Sequence, residues 1–327
     1  MPHRLSRRSL VRAALAVPVA ARMRQVRAES APAPFAYPIG VPGETPGNGF
    51  LIRVGYACEN LPSFPGWWHT GENWHLIEGE TAGAEVYAAA TGDVVFAGYD
   101  YPGPVVIVRH APNLYSMYGH LDYALDVAAG DRVERGQRLG TVLQRTDAAS
   151  HLHFELRTFL EVARINGDAP EYGVHCGVDC PPGPGYWPMA APEHPSDLGW
   201  RNPVHAIARR AFPDGVVPAG SDVMVAAGAV ESIPVWSAPD DAGGARQLDR
   251  LEGHPGDRYP LLQVDAGEEA TTGTSAESYR LWYQIGLPDG SPAWVRAAVP
   301  STLATGADGR PSSVRFAFVP AAMPVAT

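Results

Sequence analysis

In the stretch Ser150-His-Leu-His-Phe-Glu-Leu-Arg157, polar and apolar side chains alternate without a break. Strict alternation is the pattern of a half-buried β-strand, with Leu152, Phe154 and Leu156 on one face and His151, His153 and Glu155 on the other. Residues two apart on one strand face stand about 6.5–7 Å apart. That spacing suits a division of labour in which one imidazole holds a metal ion and the other faces what the metal activates. Two more stretches carry related chemistry. His69 is followed four residues later by Asn73, an oxygen-bearing side chain, which makes a candidate metal pair. Tyr118-Gly-His120 brings another histidine to the end of an apolar run.

The elements that must position these residues read as short strands. Leu51–Tyr56 is a first strand, and Ala84–Gly98 reads as a strand, a glycine turn at Gly92 and a second strand. Val105–His110 and Tyr115–Leu121 continue the pattern, and the glycines of Gly130–Gly140 suit turns. Strands at this rate, with turn residues between them, predict a compact antiparallel sheet or a small barrel.

Five segments in this order resemble the lysostaphin-type (LytM-like) zinc metallopeptidases, which cut peptide bridges in bacterial peptidoglycan. They are HTGENW at 69–74, VYAAATGDVVFAG at 86–98, YGHL at 118–121, GDRVERGQRLG at 130–140 and HLHFE at 151–155. The resemblance covers roughly residues 50–160. It implies that His69 and His153 are zinc ligands, that the third protein ligand falls on residue 73, and that His120 and His151 are catalytic histidines beside the metal. It also implies a small, mainly antiparallel β-sheet with a groove along the site. The chemistry is coherent. Catalytic zinc keeps three protein ligands and an open position, and it lowers the pKa of its water toward about 7. Nearby imidazoles can then take the water's proton, stabilise the oxyanion or protonate the leaving amine.

Position 73 departs from the family, which has Asp where this chain has Asn73. Zinc favours thiolate, imidazole and carboxylate ligands, so loss of the anionic ligand should weaken metal binding by roughly 1 kcal/mol or more. Zinc that stays bound would keep more of its positive charge and make its water more acidic. Three readings of the position stand. Asn73 is a working third ligand; or His75, Glu72 or Glu78 takes its place; or the site has no metal and the domain acts by binding alone. The glycine-rich loop that usually precedes the HLHFE strand is also altered, to Gln144–Ser150, which bears on substrate preference. His110 reads as a packed or surface histidine, and His175, His194, His205 and His254 as structural or solvated.

The chain of 327 residues suggests two domains, and its net charge of −10 offers no basic field for nucleic acid. Gly (35) and Pro (32) are abundant, which favours short strands and turns over long helices. Residues 1–32 combine a basic start (Arg4, Arg7, Arg8, Arg12) with the apolar run Ala13–Ala21, as in an export signal. Ser6-Arg-Arg-Ser-Leu10 resembles a twin-arginine signal. No run reaches the roughly 18–20 apolar residues needed to span a bilayer. Cys176 and Cys180 form the local disulfide candidate, with Cys58 left over, although the pairing is not readable from sequence.

The organisation follows: an export signal or basic tail (1–32), an extended lead-in (33–49), a peptidase domain (50–212), a linker (213–221), a small β-barrel (222–300) and a tail (301–327). Residues 161–200 form a long Pro- and Gly-bearing excursion whose Gly185–Pro188 segment packs beside the groove. A helix follows, capped by Asn202 with Pro203 in its first turn. The segments 223–225, 233–236, 281–285 and 292–295 read as strands separated by a long 237–280 insert, and their ending resembles a bacterial Src-homology-3-like domain, a module that in secreted wall enzymes commonly binds the wall. The fold expected is therefore mainly β, a small antiparallel metallopeptidase sheet followed by a small Src-homology-3-like barrel. The function expected is an exported zinc endopeptidase acting on peptidoglycan peptides. A catalytically silent peptidoglycan-binding or regulatory protein on the same scaffold is the alternative, and cleavage of another exposed glycine-rich peptide is a third.

Overall fold

Short apolar runs broken by turn residues form antiparallel strands along the chain. The computed structural model describes residues 34–61, 63–99, 104–146, 148–167, 169–172, 185–239, 243–271, 279–301 and 313–322. The first half supplies β1 (Phe50–Val54), β2 (Phe64–His69), β3 (Glu72–Leu76), β4 (Gly92–Gly98), β5 (Val105–Ala111), β6 (Leu114–Gly119), β7 (Leu152–Arg157) and β8 (Tyr186–Pro188). The helices α1 (Pro195–Leu198) and α2 (Pro203–Ala211) follow. The second half supplies β9 (Asp222–Val225), β10 (Ser232–Trp236), β11 (Gln247–Glu252), β12 (Arg258–Ala266), β13 (Leu281–Gly286), β14 (Pro292–Arg296), β15 (Ala298–Pro300), β16 (Val314–Phe316) and β17 (Phe318–Ala322).

A ten-stranded antiparallel sheet carries the motif residues. Its order is the short strand 132–133, then β4, β5, β6, β7, β3, β1, β16 and β15, with Trp200–Arg201 also paired to β7. β7 is thus an interior strand, between β6 and β3. The alternation of its sequence predicted a half-buried strand, yet all six of its residues are buried. Its polar face is covered by the site itself, where charged and polar side chains pair with one another instead of with water. β2 lies in a separate three-stranded sheet between β8 and the short strand 59–60. The bend Thr70-Gly71 then carries the chain from β2 into β3. Only glycine fits at 71, because a Cβ there would be driven into the Phe154 carbonyl of β7.

The helix expected after residue 200 forms as α2, and the Asn202 side chain accepts from the His205 backbone N–H as its cap. The C-terminal half differs more from expectation. Seven of its strands form one sheet in the order β11, β10, β14, β13, β12, β9, β17, while β15 and β16 join the ten-stranded sheet. No closed barrel forms among the described residues, because the two end strands, β11 and β17, do not pair. The insert after β10 supplies two of the strands, β11 and β12, and the expected tail supplies β16 and β17. β16 hydrogen-bonds to β1, which joins residues 314–316 to the ten-stranded sheet. A single apolar core accordingly holds Ile52, Val106 and Leu152 from the first sheet together with Val223, Leu281 and Val295 from the second.

Two histidines outside the motifs are packed into this frame. His110 lies between the Thr91 carbonyl and the Ser116 hydroxyl, at 3.1 and 2.7 Å. His205 donates from Nδ1 to the Glu268 carbonyl at 2.9 Å. Burial pushes both imidazoles down to about 4. The native state therefore binds fewer protons than the unfolded chain between about pH 6.5 and pH 4. Their contribution is complete above about pH 6.5 and is lost as pH falls toward 4, at up to about 1.4 kcal/mol per pH unit for each imidazole. The melting temperature should drop steadily between pH 7 and pH 4.5, and substituting His205→Gln should flatten that slope. An identical slope in the variant would remove His205 from this account.

Candidate metal centre

The register of the large sheet assembles the site. His153 of β7 stands opposite Asn73 of β3 on one side and opposite Gly119 of β6 on the other. Directly opposed residues project to the same face. His69, at the end of β2, reaches the same point from the neighbouring small sheet. Its Nε2 lies 3.0 Å from His153 Nδ1, and His153 Nδ1 lies 3.1 Å from Asn73 Oδ1. All three side chains are buried.

The opposite edge of each ring fixes its tautomer. His69 Nδ1–H donates to the Gly55 carbonyl at 3.2 Å. His153 Nε2–H donates to Glu155 Oε1 at 3.0 Å. His69 Nε2 and His153 Nδ1 are therefore the nitrogens that present lone pairs to each other. Asn73 adds a third acceptor, because its amide nitrogen is turned to the Tyr186 hydroxyl, which lowers the pKa of that phenol against the stronger upward push of burial. Three lone-pair donors meeting at one buried point need a positive centre between them, either a proton shared by the rings or a cation. Burial holds His69 well below the ordinary imidazole range, with the His153 charge acting in the same direction. This donor set fits a zinc ion, with imidazoles anchored through their far nitrogens to a carboxylate and a carbonyl as metal-binding histidines usually are. Among the described residues no three His, Cys, Asp or Glu side chains are placed to share a metal, so the set is two imidazoles and one amide oxygen.

Glu155 anchors the site from beneath. Besides His153, it accepts from Thr70 Oγ1 at 2.6 Å, from Trp200 Nε1 at 3.1 Å and from Arg157 Nη1 at 3.4 Å. Burial pushes its carboxyl upward, but His153, Arg157 and Thr70 together hold it below its ordinary value. Arg157 is also fully buried, with its guanidinium 5.4 Å from the Phe159 ring. Sequence reading placed Glu155 on the correct face without giving it a task. The available signal was its position two residues after His153 on an alternating strand.

His120 and His151 lie beside this cluster. Their ring centroids are 4.5 Å apart, and His120 is 6.3 Å from His153. His120 has a left-handed backbone with φ of 62°, an uncommon conformation for a residue with a side chain. His151 donates from Nδ1 to the Ala149 carbonyl at 2.9 Å, leaving Nε2 bare. Burial lowers His151 to about 4, and burial, then the His151 charge, lowers His75 to about 3.

None of the three candidate replacements for Asn73 joins His69 and His153. His75 stacks on His151 with centroids 4.9 Å apart. Glu72 points to the far face of β3, where it accepts from Trp74 Nε1 at 3.1 Å and from the Val204 N–H at 3.3 Å. Glu78 is exposed beyond the end of β3. Gly185–Pro188 does pack beside the site, with the Tyr186 ring 5.2 Å from that of His69. The altered loop brings Arg145 close enough for its charge to act on both Tyr186 and His151. Cys58 is buried, 3.7 Å from the Tyr56 carbonyl, whereas Cys176, Cys180, His175 and the segment 1–32 lie outside the described residues.

Known proteins match this part of the chain. Lysostaphin from Staphylococcus simulans is 14% identical, covering 84% of this chain and 95% of that chain at a TM-score of 0.33. The catalytic domain of the prophage-encoded M23 protein EnpA from Enterococcus faecalis, in a variant form, is 28% identical over 38% of this chain and 87% of that chain, with a TM-score of 0.29. The complex of SpoIIIAH and SpoIIQ holds a chain 25% identical over 38% of this chain and 92% of that chain, with a TM-score of 0.31. Comparison with curated proteins gives no match. The sequence profile of peptidase family M23 matches residues 69–168, the span that runs from His69 through Asn73, His120 and His151 to His153. Over those residues the chain is similar to peptidase family M23.

Proposed function

We propose that this protein is a zinc-dependent endopeptidase that hydrolyses peptide bonds in bacterial peptidoglycan. The observation that carries the reading is the meeting of His69 Nε2, His153 Nδ1 and Asn73 Oδ1 at one buried point with both far ring nitrogens already engaged. These three residues would hold the zinc. Zinc in such a site supplies an acidified water at neutral pH and polarises the scissile carbonyl.

The chain's own residues supply the rest. His151 is neutral at pH 7, and its Nδ1–H bond to Ala149 keeps Nε2 free to accept a proton. His120 is held at its side by a constrained backbone. The pair can pass a proton from the attacking water to the leaving amine and place a donor on the developing oxyanion. Tyr186, whose ring lies 5.2 Å from that of His69, offers an apolar wall for a peptide on that side of the site. The basic, apolar start of the sequence supports export to the wall, and among the described residues no helix is long and apolar enough to cross a membrane.

The neutral side chain at Asn73 favours one other reading, a catalytically silent wall-binding protein on the same scaffold. Metal content and amine release from purified bacterial walls separate the two. The endopeptidase should carry about one zinc per chain and release amines, and His153→Ala should remove both. A protein that takes up no zinc and cuts no wall peptide would favour the silent scaffold.

A further inference from the structure

The far side of the centre is built by a residue from the C-terminal half. Tyr279 lies just before β13, in the part of the chain beyond the matched peptidase segment, and it is fully buried. Its hydroxyl accepts from the Tyr56 backbone N–H at 2.7 Å. That N–H belongs to the same peptide group as the Gly55 carbonyl, and the Gly55 carbonyl is the acceptor that fixes His69 Nδ1–H. A peptide group is planar, so holding its N–H sets the direction of its carbonyl and hence the pose of the His69 ring. The contact is close. A Cβ on Gly55 would lie 2.8 Å from both Cε2 and the hydroxyl oxygen of Tyr279, so the phenol rests directly against this peptide.

The same hydroxyl donates to the Glu72 carboxyl. Glu72 immediately precedes Asn73 in β3, and its other bonds run to Trp74 and to the first turn of α2. One hydroxyl therefore braces both arms of the candidate centre: His69 through the Gly55–Tyr56 peptide, and Asn73 through its neighbour Glu72. We propose that Tyr279 is a positioning residue for the metal centre, so that the C-terminal sheet forms part of the support of the site. The inference rests on the zinc reading above.

The test measures the zinc dissociation constant of the full chain by competition with a chelator, well below the unfolding temperature, for the unaltered protein, Tyr279→Phe and Tyr283→Phe. Tyr283 supplies a comparable buried hydroxyl from the same sheet, but its partner is Tyr37 rather than the centre. Tyr279→Phe should weaken zinc about 10-fold or more, the usual effect of losing a group that orients a ligand, and should shift the His69 Nδ1–H proton resonance. Tyr283→Phe should lose stability and leave both readouts unchanged. Gly55→Ala, which displaces the Tyr279 ring without removing its hydroxyl, should reproduce the weakening, and it serves as the test variant if Tyr279→Phe does not fold. Zinc constants equal within twofold in Tyr279→Phe and the unaltered protein would overturn the role of Tyr279 alone. An unaltered protein that binds no zinc would overturn the zinc reading and this inference with it.

Discussion

Glu155→Gln should both weaken zinc by about 10- to 100-fold and destabilise the fold by about 3–5 kcal/mol. The two effects have separate causes. The carboxylate takes the Nε2–H of His153 and so directs the opposite nitrogen at the centre. It is also the counter-charge of Arg157, and neither side chain reaches water. Glutamine keeps the size but turns an N–H toward a pocket in which His153, Thr70, Trp200 and Arg157 all donate. It leaves the guanidinium buried without a partner anion, which is costly in a low-dielectric interior. Adding Arg157→Met to Glu155→Gln should recover much of the stability and none of the zinc affinity. Denaturant unfolding and chelator competition on the single and double variants measure the two effects separately. A single variant within about 1 kcal/mol of the unaltered protein, the scale of an ordinary surface ion pair, would contradict this picture of Glu155.

Asn73→Asp should tighten zinc by about 10-fold or more, the equivalent of about 1.4 kcal/mol. Its Oδ1 already stands 3.1 Å from His153 Nδ1, so the change adds charge without moving the ligand. The second carboxylate oxygen would meet the Tyr186 hydroxyl, which can rotate its proton to donate, since its oxygen also receives the Asn60 amide N–H at 2.8 Å. Unchanged or weaker binding in Asn73→Asp would show that residue 73 does not touch the metal. His75 and Glu72 are turned to other partners, so no other described side chain is ready to replace it.

The sequence revealed the parts of the site that lie on single strands or short motifs. Alternation in the HLHFE stretch put His153 and Glu155 on one face, and the capping pair Asn202–Pro203 located α2. The meeting of His69, Asn73 and His153 was legible only through resemblance to a family, since it depends on a register between β3 and β7 that no local pattern states. Trp200 bonds to Glu155 from 45 residues further along the chain and Tyr279 acts through the Gly55–Tyr56 peptide, and nothing in their immediate sequence marks them, whereas the Gly185–Pro188 segment that carries Tyr186 was expected beside the groove. In the C-terminal half, β11 was invisible because its residues are mostly exposed, so the sequence carries no apolar face to read. β16 and β17 were missed for another reason. They are short strands near the chain's end, and their partners β1 and β9 lie far back in the sequence.

The most direct measurement is the zinc content of the purified protein beside that of His153→Ala, by elemental analysis after removal of loosely held metal. About one zinc per chain in the unaltered protein and none in the variant is the expected result for a single three-ligand centre. A variant that keeps its zinc would place the metal somewhere other than between His69, Asn73 and His153. An unaltered protein that takes up none, even from excess zinc, would contradict the metallopeptidase account altogether.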